Sequence, residues 1–118
     1  MKQIIVIRKD LKMRRGKEIT QGCHASMAFL LNRLPNNLRM SVRELTWVNE
    51  GQRKITLQVD SEEELREIYA AGKKAIVESW MITDLGLTEL KEPTVTAVAL
   101  GPDEDALLDS ITGHLKLY

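Results

Sequence analysis

The sequence predicts an α/β domain, a three-layer sandwich with a four-stranded mixed sheet between helical layers. Two apolar runs, residues 4–7 and 95–100, are continuous, as strands covered on both faces are. Stretches with helical spacing separate the first strand-like segment from the second and the second from the third, which is the pattern of helices packed on a sheet. No repeat, low-complexity tract or Pro/Gly/Ser-rich linker interrupts the chain, so residues 1–118 form a single domain.

Residues 4–7 read as the first strand. Residues 16–34 read as a long helix, in which Ile19, Cys23, Met27, Leu30 and Leu34 recur at helical spacing and define the stripe expected to be buried. Pro35-Asn36-Asn37 ends it. A shorter helix over about residues 39–49 precedes Glu50-Gly51, and residues 54–59 then alternate with period two, as a half-buried strand does. Ser61 with Glu64 three residues later reads as a capping box, opening a helix that runs to about Ala71 before Gly72. Residues 75–82 are the third strand and residues 95–100 the fourth. Residues 103–111 form the last helix, behind the Gly101-Pro102 turn.

A chain of 118 residues buries roughly two thirds of the surface its unfolded form exposes, so neither metal nor disulfide is needed to hold the core. The single cysteine, Cys23, has no partner for a disulfide, a metal site or a redox pair; a free core thiol in a reducing compartment is expected. The apolar run after Met1-Lys2 is too short for a signal peptide or a membrane span, so the reading is of a soluble, cytoplasmic protein with no membrane partner. GxGxxG, Walker, GxSxG and HExxH signatures are absent, and two histidines with one cysteine make no zinc site. With five aromatic residues in all, a binder built on a run of base-stacking platforms is excluded.

The zero net charge conceals an asymmetry. Residues 1–54 carry twelve Lys/Arg against four Asp/Glu, and residues 55–118 carry five against thirteen. The densest basic stretch, RKDLKMRRGK at residues 8–17, joins the first strand to the long helix, where it can meet phosphates or simply be solvated.

Lys17, Gln21 and His24 stand at i, i+4 and i+7, a polar strip along one edge of the long helix, beside the apolar stripe. Gly22, Ala25 and Ser26 on the opposite flank admit close approach of a neighbour, so the strip is expected in a cleft. Taken alone, such a strip is more often solvated surface than an active site. A second polar group, Thr83-Asp84 to Thr88 with Thr94 and Thr96, lies where ligands gather in open α/β sheets, beyond strand ends. Asp84 there can orient a cation or accept a proton, and the hydroxyls can donate to an oxyanion. A capped turn explains these residues as well.

The segments DLKMRRGK, QGCHA, ITDLGLT, TVTAVALGP and ITGHLKLY, taken together and in this order, resemble those of the type 2 peptidyl-tRNA hydrolases over essentially the whole chain. That family's segments resemble D-L-K-M-x-x-G-K, Q-x-x-H-A, D-A-G-x-T, G-T-x-T with an apolar strand and GP, and V-T-G-x-L-x-L. The resemblance implies a four-stranded mixed sheet between helices, commonly in a homodimer, and hydrolysis of the ester joining a peptide to the 3′ ribose of tRNA without metal or organic cofactor. Carried over position by position, it implies catalytic roles for Lys17, Asp84, Thr88 and Thr96, with Gln21 and His24 on the helix. It also implies that Lys9, Lys12, Arg14 and Arg15 hold the tRNA backbone. Lys17 and a threonine suit the carbonyl charge, while Asp84 or His24, a side-chain type that titrates near neutrality, suits the water.

The chain departs from the family at Pro93, where glycine is usual, which is expected to shift Thr94 and Thr96, and at Leu85, expected to narrow the site. Against the esterase stand two alternatives on the same fold: a tRNA-binding protein without catalysis, and a dimeric interaction protein without RNA.

Overall fold

A computed structural model describes residues 1–37 and 39–118. In chain order the elements are β1 (Lys2–Arg8), α1 (Arg15–Arg33), a 3-10 turn (Leu34–Asn36), α2 (Val42–Asn49), β2 (Lys54–Val59) and α3 (Glu62–Lys74). They continue with β3 (Ser79–Asp84), β4 (Thr94–Asp103), α4 (Asp105–Thr112) and β5 (Lys116–Leu117). The sheet order is β3-β4-β1-β2-β5. It is mixed, because β1 runs parallel to β2 while the β1–β4, β3–β4 and β2–β5 pairs are antiparallel.

The continuous apolar runs are the two central strands, β1 and β4, buried on both faces. Ile4, Val6, Val98 and Leu100 face a core completed by Leu65 and Ile68 of α3 and Leu108 and Ile111 of α4. Ile5, Ile7, Ala97 and Ala99 face the other way, against Ala25 of α1.

Five strands, not four, make the sheet. The fifth is a two-residue pairing of Leu57 with Leu117 and Gln58 with Lys116, too short and too exposed to leave an alternating signal. The third strand begins at Ser79 rather than residue 75, because α3 continues through Gly72 to Lys74. Gly72 is there for closeness: a Cβ would lie 2.3 Å from the Ser79 hydroxyl and 2.7 Å from a Leu100 methyl. Ser61 does cap α3, accepting from the Glu64 N–H at 3.1 Å. Both halves of a capping box close instead at Ser41 and Glu44, opening α2. Gly101 and Pro102 belong to β4, which delays the last helix to Asp105.

The larger correction concerns which way α1 faces. Its buried residues are Gln21, Ala25, Ala28 and Phe29. Ile19 and Met27, two members of the stripe expected in the core, are 60% and 50% exposed, and Leu34 and Cys23 are exposed with them. At 100° per residue the two sets lie on opposite sides of the helix. Small side chains let α1 settle onto the alanines of β4, a closeness the bulky stripe would forbid. Gln3, fully buried in β1, locks the arrangement by donating to the Ser26 carbonyl (2.9 Å) while accepting from the Ser26 hydroxyl (2.7 Å). At the far end Arg33 is held by Glu44 and Glu78.

Candidate active site

The rotation of α1 turns Lys17, Gln21 and His24 toward the end of β3. Lys17 lies in the first turn of α1, and Asp84 is the last residue of β3. The Lys17 ammonium donates to Asp84 Oδ1 at 2.6 Å and to Thr88 Oγ1 at 2.9 Å. The loop after Asp84 folds back through Gly86 at φ +80°, where a Cβ would stand 2.4 Å from the backbone of Glu92, so the turn needs glycine. Its N–H donates to Asp84 Oδ2 at 2.9 Å. The Lys17 hydrogen bond, followed by that of Gly86, holds the Asp84 carboxyl below the usual carboxylate range, so it is ionised at neutral pH.

Gln21 is buried behind this pair. Its Nε2 lies 3.5 Å from Asp84 Oδ1, and its Oε1 accepts from the hydroxyl of Thr96, itself fully buried in β4. His24 is exposed on the wall of a cleft of about 560 Å³ that also includes Lys17, Gln21, Asp84 and Thr88. Five of the six residues singled out in the sequence, Lys17, Gln21, Asp84, Thr88 and Thr96, thus share one hydrogen-bonded cluster. The sixth, His24, borders the same cleft without joining the bonds. Lys17 and Asp84 keep only 14% and 11% of their side-chain surface in solvent, so their interaction is weakly screened.

The β3–β4 pairing has an irregularity between Ile82 and Thr83, after which Asp84 stands opposite Thr94, and the Thr96 hydroxyl reaches Gln21. The Thr94 hydroxyl donates to the Glu92 carbonyl at 2.8 Å, as in a capped turn, and stays out of the cluster. Leu85 is 69% exposed and lines the cleft mouth.

Lys9, Lys12, Arg14 and Arg15 are all exposed on the connection that leads into Lys17. Lys9 lies 5.9 Å over the ring of Tyr118, whose hydroxyl donates to Glu18. Arg15 lines a second groove, of about 600 Å³, on the other flank of α1 with Ile19, Cys23 and Tyr118. Glu89 was not legible in the sequence. From the loop after Asp84 it accepts the backbone N–H of Arg14 at 3.0 Å and so ties that loop to the start of α1. Nothing in the spacing of residues 14 and 89 announces that contact.

Among the described residues, no group of three or more His, Cys, Asp and Glu is placed to hold a metal ion. Among the same residues, no helix is long and apolar enough to cross a membrane. Chemically, the cluster offers an ammonium fixed by a carboxylate and a hydroxyl with one N–H still free, a partner for negative charge developing on a carbonyl oxygen.

The family described as peptidyl-tRNA hydrolase PTH2 matches residues 1–118. The chain is similar to the peptidyl-tRNA hydrolase of Methanocaldococcus jannaschii, 44% identical over 117 residues covering 99% of both chains. It is also similar to that of Methanothermobacter thermautotrophicus, 40% identical with the same coverage. With that of Nanoarchaeum equitans it is 44% identical over 119 residues, covering 100% of this chain and 99% of the relative.

Proposed function

The chain belongs to the peptidyl-tRNA hydrolase PTH2 family, and from that premise we propose that the Lys17–Asp84 cluster is where it cleaves the ester of peptidyl-tRNA. It is a hydrolase whose substrate is peptidyl-tRNA. In this reading Lys17 donates its free N–H to the ester carbonyl as negative charge builds there, and Thr88 keeps the ammonium pointed outward. Asp84, held ionised by its partners, is a poor proton acceptor and acts by orienting Lys17. His24, the remaining titratable group of the strip, takes the proton from the attacking water. Gln21 and Thr96 hold Asp84 from behind. The cytoplasm, where translation takes place, is the compartment this activity fits.

The sheet is the middle of a three-layer sandwich in this reading, a rigid platform for residues from α1, β3 and β4. Lys9, Lys12, Arg14 and Arg15 hold tRNA phosphates on the approach to Lys17. The exposed apolar ridge of Ile19, Cys23 and Met27 supports a homodimer, since a second copy would bury it.

The observation that carries the site is the two-point anchoring of the Lys17 ammonium on Asp84 and Thr88. The test is release of tRNA from an N-acetylaminoacyl-tRNA by the purified protein and by Lys17→Ala and Asp84→Asn. Wild-type turnover that falls at least about a hundredfold in each variant, with melting temperature retained, is the expected result. Undiminished turnover in Lys17→Ala overturns the site, and salt-sensitive tRNA binding without cleavage by wild type overturns the esterase.

A further inference from the structure

The cleft does not stop at the hydrogen-bonded cluster. It continues along α1 past His24 to Ala28, Leu31 and Asn32, opposite Met81 and Thr83 of β3. Its character changes along that path, from the ammonium and carboxylate at one end to the half-exposed Leu31 and the partly buried Ile82, which packs on the α1 side of the sheet, at the other. Past Lys17, no lysine or arginine lines it, whereas the basic residues of the β1–α1 connection all precede Lys17. A polyanion is therefore served at one end of the cleft only. The wall opposite α1 is also special: β3 is the outermost strand, paired with β4 alone, and among the described residues no strand covers its other edge. Such an edge presents main-chain N–H and C=O groups ready to bind an extended chain.

We propose that this extension of the cleft is the subsite for the peptide half of the substrate, whose last residues lie extended along the free edge of β3 from Asp84 toward Met81. The inference rests on the Lys17–Asp84 cluster being the place of cleavage. With the ester at Lys17, the tRNA leaves toward the basic connection and the peptide toward Leu31. Main-chain pairing with a strand edge suits a substrate whose peptide sequence varies, because every residue except proline offers the same groups. From Asp84 to Met81 the strand advances about 10 Å, room for roughly three or four extended residues. Leu31 and Ile82 give their side chains apolar contact without selecting one.

The test uses the full chain and a series of tRNAs carrying N-acetylated alanine peptides of one to six residues. The expected result is that kcat/KM climbs about tenfold up to three or four residues and then levels, the gain that one or two main-chain hydrogen bonds supply. N-methylation of the peptide amides removes the gain, and Leu31→Asp, at a half-exposed position, lowers the ratio of long to short substrate. In a separate titration with N-acetyl-tetraalanine methyl ester, the amide resonances of Met81 and Thr83 shift. A flat length series in an enzyme that turns over every substrate, or a gain that survives N-methylation, overturns the subsite and leaves the site of cleavage standing. Loss of turnover confined to Lys17→Ala and Asp84→Asn keeps the two questions separate, whereas a protein that cleaves none of the series overturns both.

Discussion

Thr96 donates its hydroxyl proton to the side-chain carbonyl of Gln21, and both groups are buried. That single bond decides which end of the Gln21 amide turns to Asp84, because the oxygen is occupied and only the NH2 remains to face the carboxylate. The relation spans β4, α1 and the end of β3, so a residue with no access to the cleft governs the charge distribution inside it.

Thr96→Val keeps the shape of the side chain and removes the donor. It leaves the Gln21 carbonyl oxygen buried without its partner, a loss of about 1–3 kcal/mol in stability, and frees the amide to turn its oxygen toward Asp84. Urea unfolding and tRNA release are expected to show both effects in Thr96→Val and neither in Thr96→Ser. Equal activity in the valine variant would remove Thr96 from the site.

The Asp84 carboxyl is lowered from its ordinary value of 3.8, first by the Lys17 hydrogen bond and then by the Gly86 N–H. A lowered folded value means that stability from this group is fully present above the unfolded value and is lost as pH falls through the folded one. Below about pH 4 the wild type is therefore expected to lose stability more steeply than Lys17→Met, in which the largest cause of the shift is gone. Thermal melts between pH 2.5 and 6 check the difference in slope; parallel curves would show that the pair makes no net contribution.

Tyr118 behaves with the opposite sign. Burial and the hydrogen bond to Glu18 push its hydroxyl up to about 12 from 10. The stability it adds is present below pH 10 and drains away between about 10 and 12. Its backbone N–H also donates to the Thr56 carbonyl at 3.0 Å, next to the short β5 pairing. Ultraviolet titration is expected to resolve one late tyrosinate, absent in Tyr118→Phe. Loss of a tyrosinate that forms near 10, rather than near 12, in Tyr118→Phe would contradict the anchoring of the C-terminus on α1.

Lys9, Lys12, Arg14 and Arg15 are exposed and, among the described residues, reach no carboxylate through a side-chain ion pair. They act in the proposed function only through phosphates, so each replacement by alanine is expected to lower the slope of log KM against log salt by somewhat under one. The change in kcat at saturating substrate is expected to be small by comparison. A salt slope unchanged in the fourfold variant would place the tRNA elsewhere.

How far the sequence reached depends on what each element leaves in the chain. β1 and β4 were legible because strands covered on both faces read as continuous apolar runs, and β2 because one of its faces is half-open. β5 was not, since two exposed residues make no period. The orientation of α1 is opposite to the one its apolar spacing predicts, for a physical reason. Helical spacing reports which large apolar residues share a face, and here the buried face is made of Ala25, Ala28 and a buried glutamine, with Phe29 as its large apolar member. The cluster itself was legible only as a set of segments in family order; no local rule joins residue 17 to residue 84, or Glu89 to the Arg14 N–H.

The misread stripe yields a prediction of its own. Ile19, Cys23 and Met27 form an outward ridge of α1 beside the groove that holds Tyr118, and a ridge of this composition in water is stabilised by a cover. Under the proposed homodimer, wild type sediments at twice the chain mass, and Cys23 reacts slowly with a thiol reagent because a second copy shields it. Ile19→Asp and Met27→Asp, both at positions at least half exposed in the single chain, keep the fold but place a charge in that contact. They are expected to sediment at the chain mass and to expose Cys23 to rapid modification. A wild type that sediments at the chain mass with a freely reactive Cys23 would show that the ridge stands open, and the face would then need another explanation than a second copy.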